Sequence, residues 1–191
     1  MMHPKEKITV IDDYFPSWMV EHISRDLEMM PVRYNNSPYA EFDKARFFGS
    51  MLVQNDTFID IQPWWWIEYF NHCMYHDVCK EWTVGHCHRV LLNAQLPGQS
   101  GCNHTDADSD NYLSVIYMGH GTSGDTVFMS SDNTTEYESD RIKWKLGRLI
   151  IFNSALVHRG EAPSDGYRVS LGAVYPSVPI TQLTSIDGGR R

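Results

Sequence analysis

The stretch GRLIIFNSALVHRGEAPSDGYRVSLG, Gly147 to Gly172, decides how this chain is read. Leu149 to Phe152 form an unbroken apolar run of strand length, and Tyr167 to Leu171 form a second strand after the turn residues APSDG. His158 stands just past the first strand, at a strand end where a side chain can face a barrel mouth. On the second strand Arg168 and Ser170 are two residues apart and project from the same face. A guanidinium fork with a hydroxyl beside it can grip a carboxylate bidentately.

Upstream, NHTDADSDN, Asn103 to Asn111, places His104, Asp106, Asp108 and Asp110 on every second residue. A calcium loop counted from Asp106 fails, because Asn111 stands where such a loop needs Gly and Tyr117 where it needs a bidentate Glu. His104 and Asp106 alone can reach one ion from an extended segment, and nitrogen plus oxygen suits a transition metal. His158 then completes a set of two histidines and one carboxylate. Such a set leaves coordination positions open on Fe(II), as oxygen chemistry requires and a closed structural zinc site does not allow. Asp108 and Asp110 are read as solvated turn carboxylates.

The texture around these motifs is that of short strands: HRVLLNAQL, YLSVIYM, DTVFMS, RIKWKL, RLIIFN and YRVSLGAVY, separated by PGQSG, GHGTSG, SSDNTT and APSDG. Many short strands with Gly, Pro and Asp turns argue for a sandwich or barrel. The first third differs. Ile8 and Val10 alternate like a strand, Ser17 is placed to cap a helix over about 18–30, and a second helix follows Pro63 with Trp66, Phe70, Met74 and Val78 on one stripe. Trp64, Trp65 and Trp66 are read as core anchors. These helices are expected to pack outside a jelly roll.

The chain has 191 residues, a net charge of −8 and four cysteines. The length suits a single domain over 1–191, with an α/β part over about 1–87 and a jelly-roll core over about 88–176. The acidic balance opposes binding to nucleic acid. No apolar run is long enough to cross a membrane, and MMHPKEKITVIDD lacks the apolar segment of a secretory signal, so a cytoplasmic location with reduced thiols is expected. His72, Cys73, His76, Cys79, His86, Cys87 and His88 crowd one region, but their spacing is not that of a zinc site, and they are read as ordinary helix and loop residues. No phosphate-binding loop, dinucleotide fingerprint or serine-nucleophile elbow is present.

Taken together, His-Thr-Asp, the distal His158 and the step of ten residues to Arg168 resemble the Fe(II)/2-oxoglutarate-dependent oxygenases, nearest the prolyl 4-hydroxylase-like branch. The resemblance spans roughly 90–175, and ITVIDDYFPSWMVEHI is similar to that branch's opening. It implies an α+β, mainly β fold, the distorted double-stranded β-helix. It implies His104, Asp106 and His158 as iron ligands, Arg168 as the cation for the distal carboxylate of 2-oxoglutarate, Ser170 beside it, and Tyr117 pointing at the same carboxylate. The implied cofactors are Fe(II), 2-oxoglutarate and O2, with ascorbate as an optional accessory. The implied activity is hydroxylation of a C–H bond, first of a prolyl residue in a peptide or protein. A free amino acid or small metabolite is the next reading, and a non-catalytic jelly roll that binds sugar or peptide is the reading from another class. Collagen-type prolyl hydroxylases usually carry Lys where this chain has Arg168, and Gln95 and Leu96 replace a tyrosine common before the PG turn. Asn93 and Gln95 are weak candidates on that wall. Substrate choice is expected to lie in 33–46 and in the Gly119 to Gly124 turn. Oligomeric state is not readable from the sequence.

Overall fold

A computed structural model of the chain describes residues 8–36, 46–55, 57–59, 65–74, 76, 82–85, 87–132 and 135–179. Among them the protein is mainly β, with two helices. In chain order the elements are β1 (Thr9–Ile11), α1 (Ser17–Met29), β2 (Arg33–Asn36), β3 (Phe47–Gln54), β4 (Thr57–Phe58), α2 (Trp65–Cys73), β5 (Trp82–Val84), β6 (Arg89–Gln95), β7 (Tyr112–His120), β8 (Thr126–Ser131), β9 (Glu136–Ile142), β10 (Leu149–Asn153), β11 (His158–Gly160) and β12 (Arg168–Pro179). A large antiparallel sheet runs β1-β10-β7-β12-β6-β3-β2, with β4 on β3 and β5 on β12; a small sheet runs β11-β8-β9. No helix among the described residues is long and apolar enough to cross a membrane.

Side-chain alternation along the large sheet sorts its residues into two environments. Val90 and Leu92 of β6, Leu113, Val115 and Tyr117 of β7, Leu149 and Ile151 of β10, and Leu171, Ala173 and Tyr175 of β12 all join one core, filled from the other side by Met19, Ile23 and Leu27 of α1 and by Trp66 and Phe70 of α2. The intervening residues face the small sheet, where Ile116, Met118, Ile150 and Phe152 meet Phe128. Gly119 lets α1 sit close, because a Cβ there would come within 2.1 Å of Leu27 Cδ1. Trp66 is fully buried, as a core anchor should be. Trp64, Pro63, Val78, Cys79 and His86 lie outside the described residues.

Two local expectations are corrected. Ser17 is the first residue of α1, not its cap; Pro16 holds that position, and its carbonyl accepts from the backbone N–H of Met19 and Val20. The strand expected over RIKWKL lies earlier, as β9. Ile142, Trp144 and Leu146 alternate as a strand would, yet β9 is a charged edge strand paired to β8 through backbone bonds, and needs no apolar face. Trp144 is instead tied into a loop, donating from its backbone N to Asp125 Oδ1 and from Nε1 to the Gly121 carbonyl.

Tyr117 belongs to the helix-facing set. Its ring makes edge contacts with Phe15 at 5.9 Å and Phe70 at 6.1 Å, and burial pushes its phenol pKa up. Its hydroxyl has no hydrogen-bond partner among the described residues. Such an unmet group costs about 1–3 kcal/mol. Tyr117→Phe should therefore leave stability unchanged or raise it by up to about that amount, read as the urea midpoint, and should not alter 2-oxoglutarate affinity. A loss of that affinity would place the phenol in the pocket after all.

Candidate active site

The chain joins its distant metal-ligand candidates through backbone pairing. His104 and His158 form an isolated antiparallel bridge, with His104 N donating to His158 O at 3.0 Å and His158 N to His104 O at 2.9 Å. Asp106 N and Ala107 N both donate to Ser154 O in the turn after β10. The His-Thr-Asp segment is thus stitched at both ends to the segment that carries His158.

Each imidazole is oriented by a carbonyl two residues before it: His104 Nδ1 lies 3.0 Å from Cys102 O, and His158 Nδ1 lies 3.0 Å from Leu156 O. A carbonyl can only accept, so Nδ1 carries the proton and Nε2 keeps its lone pair. Those lone-pair nitrogens face Asp106, with His104 Nε2 3.9 Å from Oδ1 and His158 Nε2 3.7 Å from Oδ2. All three donor atoms lie within 4.8 Å of one another. A first-row ion binds such ligands at about 2.0–2.2 Å, so donors up to about 4.4 Å apart can share one. The donor set fits Fe(II) in its chemistry, and the two His–Asp separations of 3.9 and 3.7 Å fall inside that span. No second group of three His, Cys, Asp or Glu among the described residues is close enough to hold an ion; Cys79 and His86 of the His72 to His88 region lie outside them.

Asp106 is held from both sides. Arg89 Nη2 donates to Oδ1 at 2.8 Å and Ser114 Oγ to Oδ2 at 2.7 Å, with Ser154 Oγ 2.7 Å behind Ser114. Burial alone would raise the carboxyl pKa, but His158, Arg89, His104 and the Ser114 hydrogen bond together keep it below the usual carboxylate value. Burial against Phe152 and Phe128 pushes His158 down to about 4, beyond what the Asp106 charge restores. Both directions favour the protonation states a metal needs, an anionic carboxylate and a neutral imidazole.

The same cavity, about 460 Å³, is also lined by Arg168. Arg168 pairs across strands with Gln95, and Ser170 with Asn93, so all four share the inward face. Arg168 Nε donates to Gly124 O at 3.0 Å, and Nη1 donates to Gln95 Oε1 and, at 3.1 Å, to Ser170 Oγ. Gln95 is turned to accept because its Nε2 is spent on Gln99 O and Gly160 O. The guanidinium lies 5.1 Å from the Trp144 ring centroid and fits only because Gly124 and Gly160 flank it; a Cβ on Gly124, at φ +102°, would come within 2.5 Å of Arg168 Cδ. No carboxylate of the described residues pairs with Arg168, and Nη2 makes no hydrogen bond among them. Burial pushes its pKa down to about 10. A buried cation that no described carboxylate pairs, facing a cavity, can receive a carboxylate there.

Of the sequence candidates, His104, Asp106, His158, Arg168 and Ser170 are brought to one cavity, with Asn93, Gln95 and Asp108 on its wall. Tyr117 is not, because it stands one residue out of step with the inward face of β7, where Ser114 and Ile116 point. The Gly119 to Gly124 turn is also not a free edge: Gly121 O and Gly124 O bind Trp144 and Arg168, making it a wall of the cation slot. Arg89, Ser114 and Ser154 were missed. Arg89 shares strand parity with Asn93 and Gln95, the one signal that could have found it.

His158 gives the metal-free protein a pH dependence. Its folded value near 4 lies below the unfolded value of about 6.5, so between these the unfolded chain holds a proton that the native one does not, and stability rises with pH. Asp106, whose folded value also lies below its unfolded one, acts in the same direction, but only below about pH 4. As pH falls from about 6.5 towards 4, metal-free protein should lose up to about 1.4 kcal/mol per unit through this group, seen as a falling urea midpoint. His158→Leu should flatten the slope relative to the unsubstituted chain; equal slopes would show that the imidazole is not held neutral.

No protein-family model and no curated protein matches the sequence. Solved structures do match the fold. An oxidoreductase of the 2OG-Fe(II) oxygenase family from Burkholderia pseudomallei is similar over 88% of this chain and 84% of its own, at 14% identity and a TM-score of 0.64. A prolyl hydroxylase from Trichoplax adhaerens, in complex with a hypoxia inducible factor oxygen degradation domain peptide fragment, covers 88% and 82% at 14% identity and a TM-score of 0.61. A Pseudomonas putida prolyl-4-hydroxylase covers 90% and 92% at 12% identity and a TM-score of 0.63. The chain therefore carries the fold of the 2OG-Fe(II) oxygenases, prolyl hydroxylases among them.

Proposed function

We propose that the protein is a non-haem Fe(II)- and 2-oxoglutarate-dependent dioxygenase that hydroxylates a C–H bond. The observation that carries this reading is the placement of a two-His, one-Asp donor set and an anion-free buried arginine on the walls of one cavity. A metal and a carboxylate-ended cosubstrate suit those two ends. The two sheets are then the walls of a distorted double-stranded β-helix, in a single domain over 1–191 with its N-terminal part over about 1–87 and core over about 88–176. The setting proposed is cytoplasmic, with Cys73, Cys87 and Cys102 as free thiols.

His104, Asp106 and His158 would hold the iron. When bound, the iron and O2 supply the oxidising power, so that one oxygen atom goes with 2-oxoglutarate to succinate and CO2 and the other enters the substrate C–H bond. The chain's own part is positioning. Cys102 and Leu156 carbonyls fix the imidazoles, and Ser114 and Arg89 fix the carboxylate. Arg168, steadied by Gly124 O, Gln95 and Ser170, would take the distal carboxylate through its unspent Nη2. Ile116 and Leu91 supply apolar lining that limits water at the reacting end.

For the substrate, a prolyl residue in a peptide is the first reading, supported by the likeness in fold to two prolyl hydroxylases; a free amino acid or small metabolite follows. Residues 37–45 of the segment expected to select the substrate lie outside the described residues.

His104→Ala should abolish both Fe(II) binding and conversion of 2-oxoglutarate to succinate; full turnover in that variant would remove the triad. Arg168→Ala should keep iron binding while weakening 2-oxoglutarate by about 1.5–3 kcal/mol, the worth of a charge-assisted hydrogen bond. Titration of 2-oxoglutarate into the Fe(II)-loaded variant without O2 measures it, and unchanged affinity would take Arg168 out of the site. A gain of one oxygen by proline within a peptide, seen by mass spectrometry, would support the prolyl reading.

A further inference from the structure

The cavity holds a second arginine whose donors are largely unspent. Arg89 opens β6 on the inward face and lines the same cavity as the triad and Arg168. Its Nη2 donates to Asp106 Oδ1 at 2.8 Å and reaches the Asp106 carbonyl oxygen at 3.5 Å. Its Nε is buried without a hydrogen-bond partner, and Nη1 makes no hydrogen bond among the described residues. The side chain is 29% exposed, so it is neither freely solvated nor satisfied by the protein. If positioning Asp106 were its whole task, a single donor would suffice, and a serine already does this on the other oxygen.

Charge gives the sign of the missing ligand. In the loaded site Fe(II) and the 2-oxoglutarate dianion cancel, the two ligating imidazoles are neutral, and Asp106 offsets one of the two arginines, while Asp108, the other carboxylate on the wall, is exposed and screened by solvent. One positive charge is left in a half-enclosed cavity, where an uncompensated cation is costly. That charge belongs beside Asp106, because Arg168 is the arginine the cosubstrate engages.

Resting on the oxygenase reading, we propose that the primary substrate brings a carboxylate to Arg89. Arg89 touches a metal ligand, so the carbon to be hydroxylated lies within a few bonds of that carboxylate. Two sources share this chemistry: the α-carboxylate of a free amino or imino acid, and an acidic side chain beside the reacting residue of a peptide. Either narrows the substrate class from any prolyl peptide to an anion, and makes Arg89 the residue that selects it.

The test is a set of carboxylate and amide pairs: L-proline against L-prolinamide, other L-amino acids against their amides, and end-capped prolyl peptides with Asp against Asn next to proline. Binding is measured by calorimetry on protein loaded with Zn(II) and 2-oxoglutarate, which does not turn over, and hydroxylation separately with Fe(II). In the unsubstituted protein at least one carboxylate should bind about ten-fold or more tightly than its amide. Free acids or acidic peptides showing the effect identifies the source. Arg89→Gln should erase the preference and Arg89→Lys should keep part of it. The proposal is overturned by a neutral probe that binds and is hydroxylated as well as its carboxylate partner, by an undiminished preference in Arg89→Gln, or by no carboxylate binding at all. Failure of the unsubstituted protein to bind 2-oxoglutarate would instead overturn the oxygenase reading beneath it.

Discussion

The site depends on one pair of backbone hydrogen bonds, those exchanged by His104 and His158. They are a minimal piece of antiparallel ladder, and without them two ligands far apart in sequence would have no common address. Every other contact at the triad refines this one. Ser154 O takes the Asp106 and Ala107 amides, and β11, begun by His158, pairs with β8 to close the small sheet behind the ring. Because peptide groups form the join, it asks little of side chains nearby, which suits a fold shared at identities of 12–14%.

The second organising constraint is strand parity. On β6, β7 and β12 one set of alternate residues meets the helices and the other meets the cavity, so a polar site and an apolar core lie back to back across a single sheet. The face that makes the protein stable is thereby insulated from the face that makes it reactive. Arg168 and Val169 are neighbours in sequence, yet one lines the cavity and the other is core.

Much of this was legible in the sequence. The triad and Arg168 were readable because turn residues and apolar runs located the strands around them, and a strand end limits where a side chain can point. The strands β6, β7, β8, β10 and β12 were found within a residue or two at their starts. Tyr117 was misjudged for a reason of parity: its motif position looked right, but in VIYM Ile116, and not Tyr117, takes the inward side. Ser114 and Ser154 were invisible because a serine in a strand or turn carries no signal until tertiary pairing sets it against Asp106. Arg89 carried no signal beyond its strand parity, because an arginine at the start of a strand is ordinarily solvated. Strand β9 was misplaced because an exposed edge has no apolar period to read.

The carbonyls that orient the two imidazoles have a consequence for how this site can drift. In both cases the acceptor is the peptide oxygen two positions upstream, at Cys102 and at Leu156. A peptide oxygen is present whatever residue occupies the position. The choice of tautomer, and with it which nitrogen is offered to the metal, is written into chain direction instead of into any side chain. The tautomer therefore places no demand on the side chains at 102 and 156, whatever packing asks of Leu156 against the small-sheet core, and the thiol of Cys102 is dispensable to the histidine its carbonyl supports.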